Sequence, residues 1–470
     1  MLTECSGRRI EFQRLSGREV VGRFDGGLIT SDGGGLLLRE VERVTEIIGG
    51  FAGCFRDRRN AESIEHTVYD LVAQRVYGLA LGYEDLSDHD DLRRDPLLAV
   101  LVGKKDPLGG DRLRSQDKGK ALAGKSTLNR LELTPAEATS ANRYKKIVVD
   151  DELVNRFFVD VFLSSYGEAP EEIELDIDAT DDPLHGKQEG RFFHGYYGCY
   201  CYLPLYVFCG EHLLCAHLRQ SGIDASCGAV DELSRIVGQI RARWPKVRIV
   251  IRGDSGFCRE ELMAWCEGEE GVDYLFGLAK NSRLAGEIES ELEEARREYE
   301  RTGSPARVYK DFQYKTRKSW SRDRRVIGKA EHLEKGSNPR FVTTSLSDRS
   351  ADRVYERYCA RGEMENRIKE QQLYLFSDRT STSKFRGNQI RLWFSSVAYL
   401  LVHALRRLGL RGTKMARAQT HTIREKLLKI GAQIRVTVRK VWISLAGGCP
   451  YEDLFRCVTL NLRAVIPLRC

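Results

Sequence analysis

The feature that most constrains this chain is a short alternation, Glu172-Ile-Glu-Leu-Asp-Ile-Asp178, followed some seventy residues later by a second apolar run that stops at an aspartate. Side chains of a strand point alternately to opposite faces, so Ile173, Leu175 and Ile177 take one face and Glu174, Asp176 and Asp178 the other. The run Val247–Ile251 is short and, Arg248 apart, made of β-branched apolar residues, as a buried strand requires, and Gly253-Asp-Ser-Gly256 is the turn at its end. Between the two, Tyr200–Phe208 and His212–Leu218 read as a hairpin joined by Cys209-Gly-Glu. Val230, Leu233, Ile236, Val237 and Ile240 make a helical stripe ended by Pro245. A helix over 259–266 and a strand over 272–278 follow.

The order is therefore three strands, helix, strand, helix, strand. It resembles the ribonuclease H-like arrangement, in which carboxylates from the first strand, the end of the fourth strand and a later helix meet. A strongly charged stretch at about 280–345 comes next, with strand-like runs around Phe312–Tyr314, Arg325–Ile327 and Phe341–Thr343, and is read as a β-rich insertion. Arg349–Leu375 then has the composition of one long helix, on which Tyr358, Arg361 and Glu365 stand at i, i+3 and i+7 and share a face.

Cleaving a phosphodiester requires charge neutralisation, an activated water or hydroxyl and a stabilised leaving oxygen. Two divalent ions about 4 Å apart supply all three, and hard ions such as Mg²⁺ prefer carboxylate ligands. Asp178, Asp254 and Glu365 are the candidate catalytic and metal-holding residues, with Asp176 as second choice for the first. Arg361 is placed to clamp a phosphate, and Tyr358 to stack on or hydrogen-bond to a strand end.

Charge placement fits a polyanionic partner. Residues 376–470 hold 18 Lys and Arg against 4 Asp and Glu, and residues 305–330 hold 9 against 2. The thirteen cysteines lack the paired spacing of a structural zinc site. No signal peptide or membrane span is read, so a cytoplasmic protein is expected.

Residues 1–150 are expected to form a mainly helical domain with DNA contacts. Its signs are alternating runs over 10–15 and 20–24, an N-cap at Asp32 before Leu36, and a helix over 63–81. Gly33-Gly-Gly35 reads as a turn rather than a phosphate cradle. Gly119–Ser126 matches the phosphate-loop pattern, but the polar residues before it cannot form the buried strand that such a loop follows, and a basic loop is the better reading.

Four blocks, Thr30-Ser-Asp-Gly-Gly-Gly, Asp176-Ile-Asp-Ala-Thr-Asp-Asp-Pro183, Arg252-Gly-Asp-Ser-Gly-Phe257 and Arg361-Gly-Glu-Met-Glu-Asn-Arg-Ile-Lys-Glu370, resemble bacterial DDE-type insertion-sequence transposases. The particular likeness is to transposase DDE domain group 1, the insertion-sequence 1380 family, related to the insertion-sequence 4 superfamily. The resemblance favours Asp178, which precedes Thr180 by two, as the first acid. In the last-helix signature Tyr358, Arg361 and Glu365 fit, while Gln372 holds the expected lysine position and Lys369, one turn after Glu365, is the lysine on that helix assigned to DNA together with Tyr358 and Arg361.

What the resemblance implies is an α/β chain of three parts. These are a mainly helical domain (1–150), a ribonuclease H-like mixed sheet with flanking helices and a β-rich insertion (151–375), and a basic helical segment for DNA binding or dimerisation (376–470). It implies cut-and-paste transposition: Mg²⁺- or Mn²⁺-dependent cleavage and strand transfer at terminal inverted repeats, by a homodimer on double-stranded DNA. Alternatives from other classes are a catalytically silent DNA-binding regulator of the same descent and a phosphate-loop ATPase.

Overall fold

The strand that carries the alternation, β1 (Glu172–Ala179), lies inside a mixed sheet and buries Ile173, Leu175 and Ile177. Its antiparallel neighbour is β2 (Leu205–Cys209), which pairs in turn with β3 (His212–His217). On the other side β4 (Arg248–Gly253) runs parallel to β1, and β5 (Val272–Leu278) runs parallel to β4. The sheet continues through strands from the charged stretch, β6 (Ala306–Tyr314), β7 (Arg324–Leu333) and β8 (Arg340–Thr344), in the order β3-β2-β1-β4-β5-β8-β7-β6. The expected insertion thus extends the main sheet rather than standing apart. The helical piece that the sequence shows over Gly286–Arg301 is present within it as α4 (Glu289–Thr302), after α1 (Asp151–Ser164), α2 (Ala229–Arg243) and α3 (Glu260–Gly268).

One face of the sheet is sealed by α1, α2 and α3. Phe162 and Leu163, then Leu233, Ile236 and Ile240, then Leu262 and Met263 pack with Ile173, Leu175 and Ile177 in one core. Burial on that scale, at roughly 1.5–3 kcal/mol for each fully buried large apolar side chain, fixes the register. A slip of one residue would turn Asp176 and Asp178 into the core. The opposite face is covered by α5 (Ala351–Cys359), whose Val354 and Tyr355 pack on Val250, Leu275 and Val342.

The single long helix expected over 349–375 is two: α5, then α6 (Gly362–Leu375), with a turn at Ala360 and Arg361. There the backbone tightens to i→i+3 bonds, Arg361 N–H to the Tyr358 carbonyl and Met364 N–H to the Arg361 carbonyl. Helical composition is the same on both sides of the break, so sequence periodicity does not show it. The hairpin read over 200–218 is shorter than expected, because Cys199–Tyr202 leaves it for a separate three-stranded sheet with Asp182–Pro183 and Phe192–His194.

The computed structural model describes residues 9–465, and the sequence reading of the extreme N-terminus falls largely outside them. Two compact units are present: Met1–Ala52, Arg59–Leu131 and Ala404–Cys470 form one, and Gly53–Arg58 with Glu132–His403 the other. The boundaries at 150/151 and 375/376 both fall inside the second unit. In the first unit the alternating runs over 10–15 and 20–24 pair as a hairpin, Arg9–Leu15 with Arg18–Arg23, and the expected helix is present as Val68–Leu81.

Asp32 is not the N-cap of the helix at Leu36: Gly33–Gly35 forms a 3-10 turn first. The Asp32 carboxylate makes no cap bond and is held instead by Lys429 at 2.6 Å and the Tyr83 hydroxyl at 2.6 Å. The segment over 376–470, read as helical, also carries two strands, Ala432–Val436 and Val441–Leu445. At the phosphate-loop pattern no strand precedes Gly119. The Lys125 backbone N–H and ammonium are both taken by Asp90, at 3.1 and 3.2 Å. No described helix is long and apolar enough to cross a membrane.

Candidate active site

The parallel pairing of β1 and β4 sets Ile177 opposite Gly253, so Asp178 and Asp254, the next residue on each chain, emerge side by side at one end of the sheet. Gly253 is a glycine for room: a Cβ there would lie 3.0 Å from that of Phe257 and 3.1 Å from Ile177. Beyond it the Asp254 carboxylate accepts the Gly256 backbone N–H at 2.8 Å, which fixes the turn. Glu365 comes from the first turn of α6. All three carboxylates line one cavity of about 550 Å³, together with Lys369, Gln372 and Ser255.

Asp176 takes no part in that cavity. Its carboxylate is buried and gripped at both oxygens by Arg252, Nε at 2.6 Å and Nη2 at 2.7 Å. Arg252 also meets Glu174 at 2.9 Å and donates to the Arg357 carbonyl at 2.8 Å. Asp176 is thereby a strut that pins β1 to β4 and to α5. Nothing near it in sequence announced this, because its partner lies on another strand.

Burial pushes the Asp178 carboxyl up to about 7. The nearby Arg361 guanidinium opposes that rise, the Asp254 charge adds to it, the Ala179 backbone N–H opposes it and the Glu365 charge adds to it. Arg361 lies between two of the acids, with Nη2 2.9 Å from Glu365 and Nη1 3.6 Å from Asp178, and that buried Nη1 makes no hydrogen bond.

Tyr358 borders a neighbouring cavity of about 330 Å³ that shares Asp254 and Ser255. Its hydroxyl lies over Gly277, where a Cβ would come within 2.5 Å of it. Gln372 donates to Asp182 at 3.1 Å and to the Asp181 carbonyl at 3.2 Å, tying α6 to the segment just past Asp178. The sequence reading missed His194, Tyr196 and Tyr197, which also line the larger cavity. The signal was there, in five aromatic residues among 191–200.

Among the described residues no three His, Cys, Asp or Glu side chains stand close enough together to hold a metal ion as they are. The donor chemistry nevertheless suits a hard divalent cation, since three carboxylates face one cavity and the buried one is burdened by the negative charge of the other two. Arg361 supplies the positive charge between Asp178 and Glu365.

A mixed α/β chain whose parallel strand ends and adjoining helix bring three acids and an arginine to one cavity belongs to the class of carboxylate-site proteins. In particular, the chain belongs to the family of transposase DDE domain group 1, whose model matches residues 12–467, so a transposase DDE domain covers nearly its whole length. No curated protein matches. Among solved structures the chain is similar to the cryo-EM structure of the piggyBac transposase synaptic complex with hairpin DNA. Identity there is 12%, the TM-score is 0.42, and 94% of this chain and 86% of that chain are covered.

Proposed function

We propose that this chain is an active DNA transposase that cuts and joins strands at the terminal inverted repeats of an insertion sequence by a cut-and-paste route, with Asp178, Asp254 and Glu365 as its catalytic acids. The observation that carries the reading is the convergence of those three carboxylates on one cavity within a chain of this family. The strand order β3-β2-β1-β4-β5, with β2 and β3 antiparallel and β4 and β5 parallel along the path from β1, supports a ribonuclease H-like core. The four sequence blocks support the insertion-sequence 1380 family in particular.

Asp178, Asp254 and Glu365 would hold Mg²⁺ or Mn²⁺, two ions in all. Bound there, such ions neutralise phosphate charge, raise the acidity of an attacking water or 3′ hydroxyl and stabilise the leaving oxygen. The chain's own residues do the rest. Asp178 and Asp254 are fixed by the sheet and the turn at 253–256, so neither has to be ordered when DNA arrives. Arg361, with one guanidinium nitrogen free of hydrogen bonds, is placed to turn from Glu365 to a phosphate oxygen. Lys369 faces the same cavity and adds positive charge along the DNA path, while Tyr358, beside Asp254 on the neighbouring cavity, is placed to stack on or hydrogen-bond to the strand end. Work on paired element ends by a homodimer in the nucleoid completes the reading, with residues 1–150 and 376–470 as its DNA-binding parts.

The test is cleavage of a duplex carrying the element's own end, with Mg²⁺ or Mn²⁺, by the unaltered chain and by Asp178→Asn, Asp254→Asn and Glu365→Gln. End-specific nicking that each substitution lowers by about a thousandfold or more, with duplex binding kept, is the expected result. Duplex binding without cleavage in either metal would make the chain a silent DNA-binding regulator instead.

A further inference from the structure

The connection from β1 to β2 is not a plain loop. Phe192–His194 and Cys199–Tyr202 pair as an antiparallel hairpin, with Phe192 opposite Cys201, Phe193 opposite Tyr200 and His194 opposite Cys199. The tip turns at Gly198, whose φ of +68° favours glycine, and the Gly198 N–H closes on the His194 carbonyl at 2.8 Å. The Tyr197 hydroxyl donates to the Ala179 carbonyl at 3.4 Å, which ties the tip to the residue after Asp178.

Apolar rings in such a hairpin normally cover a core, but these do not. Tyr196 is 86% exposed, Phe193 50% and Tyr200 44%. Phe193 meets Tyr200 edge-on at 5.4 Å, Tyr196 meets Tyr197 edge-on at 5.0 Å, and the Arg191 guanidinium lies 4.7 Å over the Tyr200 ring. The rings are therefore set at defined angles while much of their surface stays exposed, and a cation lies against one of them. Tyr196 and Tyr197 also line the cavity that holds the three carboxylates.

We propose that this hairpin is a stacking platform for unpaired nucleobases, receiving the bases of the strand end whose phosphate lies at Asp178, Asp254 and Glu365. Every base has a π face, so open aromatic rings beside a cationic guanidinium bind single strands with little regard to sequence. The position of the platform selects this occupant, because Tyr196 and Tyr197 at its tip line the same cavity as the three acids, so a strand end held there lies beside these rings. The proposal rests on the transposase reading and adds to it the form of the substrate: an end with bases unstacked from the duplex.

The test uses the full chain and two labelled oligomers of equal charge, dT12 and a twelve-unit abasic strand, followed by fluorescence anisotropy at fixed salt. The expected result is binding of dT12 tighter by about tenfold or more. That preference is lost in the double variant Phe193→Ala, Tyr196→Ala and kept in Phe193→Tyr, Tyr196→Phe. Equal binding of the two oligomers, an undiminished preference in the alanine variant, or failure of the aromatic variant to keep it would each overturn the proposal. An element-end duplex assayed in parallel separates the two readings. If the duplex is bound and nicked while the base preference is absent, the platform alone is wrong; if the duplex is not bound at all, the transposase reading fails with it.

Discussion

Asp176 and Asp178 lie two residues apart on the same face of β1, yet their surroundings give them opposite duties. Asp176 is locked to Arg252 in a buried pair, and removing one partner of such a pair leaves an uncompensated charge. Asp176→Asn is therefore expected to lower unfolding stability by about 3–5 kcal/mol in a urea titration. Asp178→Asn removes a carboxylate that burial, above all, and the Asp254 and Glu365 charges disfavour against the pull of Arg361, and is expected to hold or raise stability while abolishing cleavage. A destabilised Asp178→Asn alongside an unaffected Asp176→Asn would reverse the assignment. The sequence could not separate the two, since period-two alternation puts both on one face and the arginine that distinguishes them is seventy-six positions away.

A second residue-scale prediction concerns acid. Burial pushes the His89 imidazole down to about 3, and that of His66 to about 4. Between those values and the ordinary value near 6.5 the unfolded chain binds more protons than the folded one. The stability these groups contribute is thus complete above about pH 6.5 and lost as pH falls toward 3. Thermal melting from pH 7 to 4 should show a falling midpoint, and His89→Asn should flatten that slope while His66 preserves part of it. An equal slope in the variant would sink the assignment.

Among the elements, the glycine run Gly33–Gly35 shows how a motif can be conspicuous in sequence and structural in purpose. Its residues are buried, Gly33 N–H donates to the Ile430 carbonyl at 2.8 Å, and a Cβ on Gly34 would sit 1.7 Å from the Leu427 carbonyl oxygen. Backbone stands where the side chain would go, so Gly34→Ala is expected to cost about 3 kcal/mol or more. Gly17→Ala meets nothing within 4 Å and should stay within about 0.5 kcal/mol. Paired melting curves decide it; a harmless Gly34→Ala would mean that the turn does not pack as described.

Charge was likewise only half legible. Of the basic residues read in 305–330 as a polyanion-facing stretch, Arg307, Lys310, Arg322, Arg324, Arg325 and Lys329 are each paired with a carboxylate. Composition counts those charges but does not reveal their partners. The elements that were legible, β1 to β8, α2, α3 and the Val68–Leu81 helix among them, are those whose pattern of apolar residues is local. The break at Ala360 and the strands at 432–445 depend on packing against distant chain.

The molecule as a whole joins its ends within one unit, which no local pattern announces. Ala432 pairs with Thr30 and Ile434 with Leu28, and the helix Glu452–Ala464 packs on Leu36–Thr45. Residues after Arg411 give that unit Ile423, Leu427, Leu428, Ile434, Val458 and Leu462, all buried. At roughly 1.5–3 kcal/mol each, their removal takes away more than most of the 5–15 kcal/mol by which a domain is typically stable. A chain ending at Arg411 is therefore expected to lose native order through the first unit, so that amides of the Val68–Leu81 helix exchange hydrogen freely. The β1 strand, whose core lies wholly in the second unit, should keep its protection. If the Val68–Leu81 helix stays protected without the C-terminal residues, the basic segment is an appended tail; if it opens, the segment that carries the basic excess also holds the N-terminal helices in place.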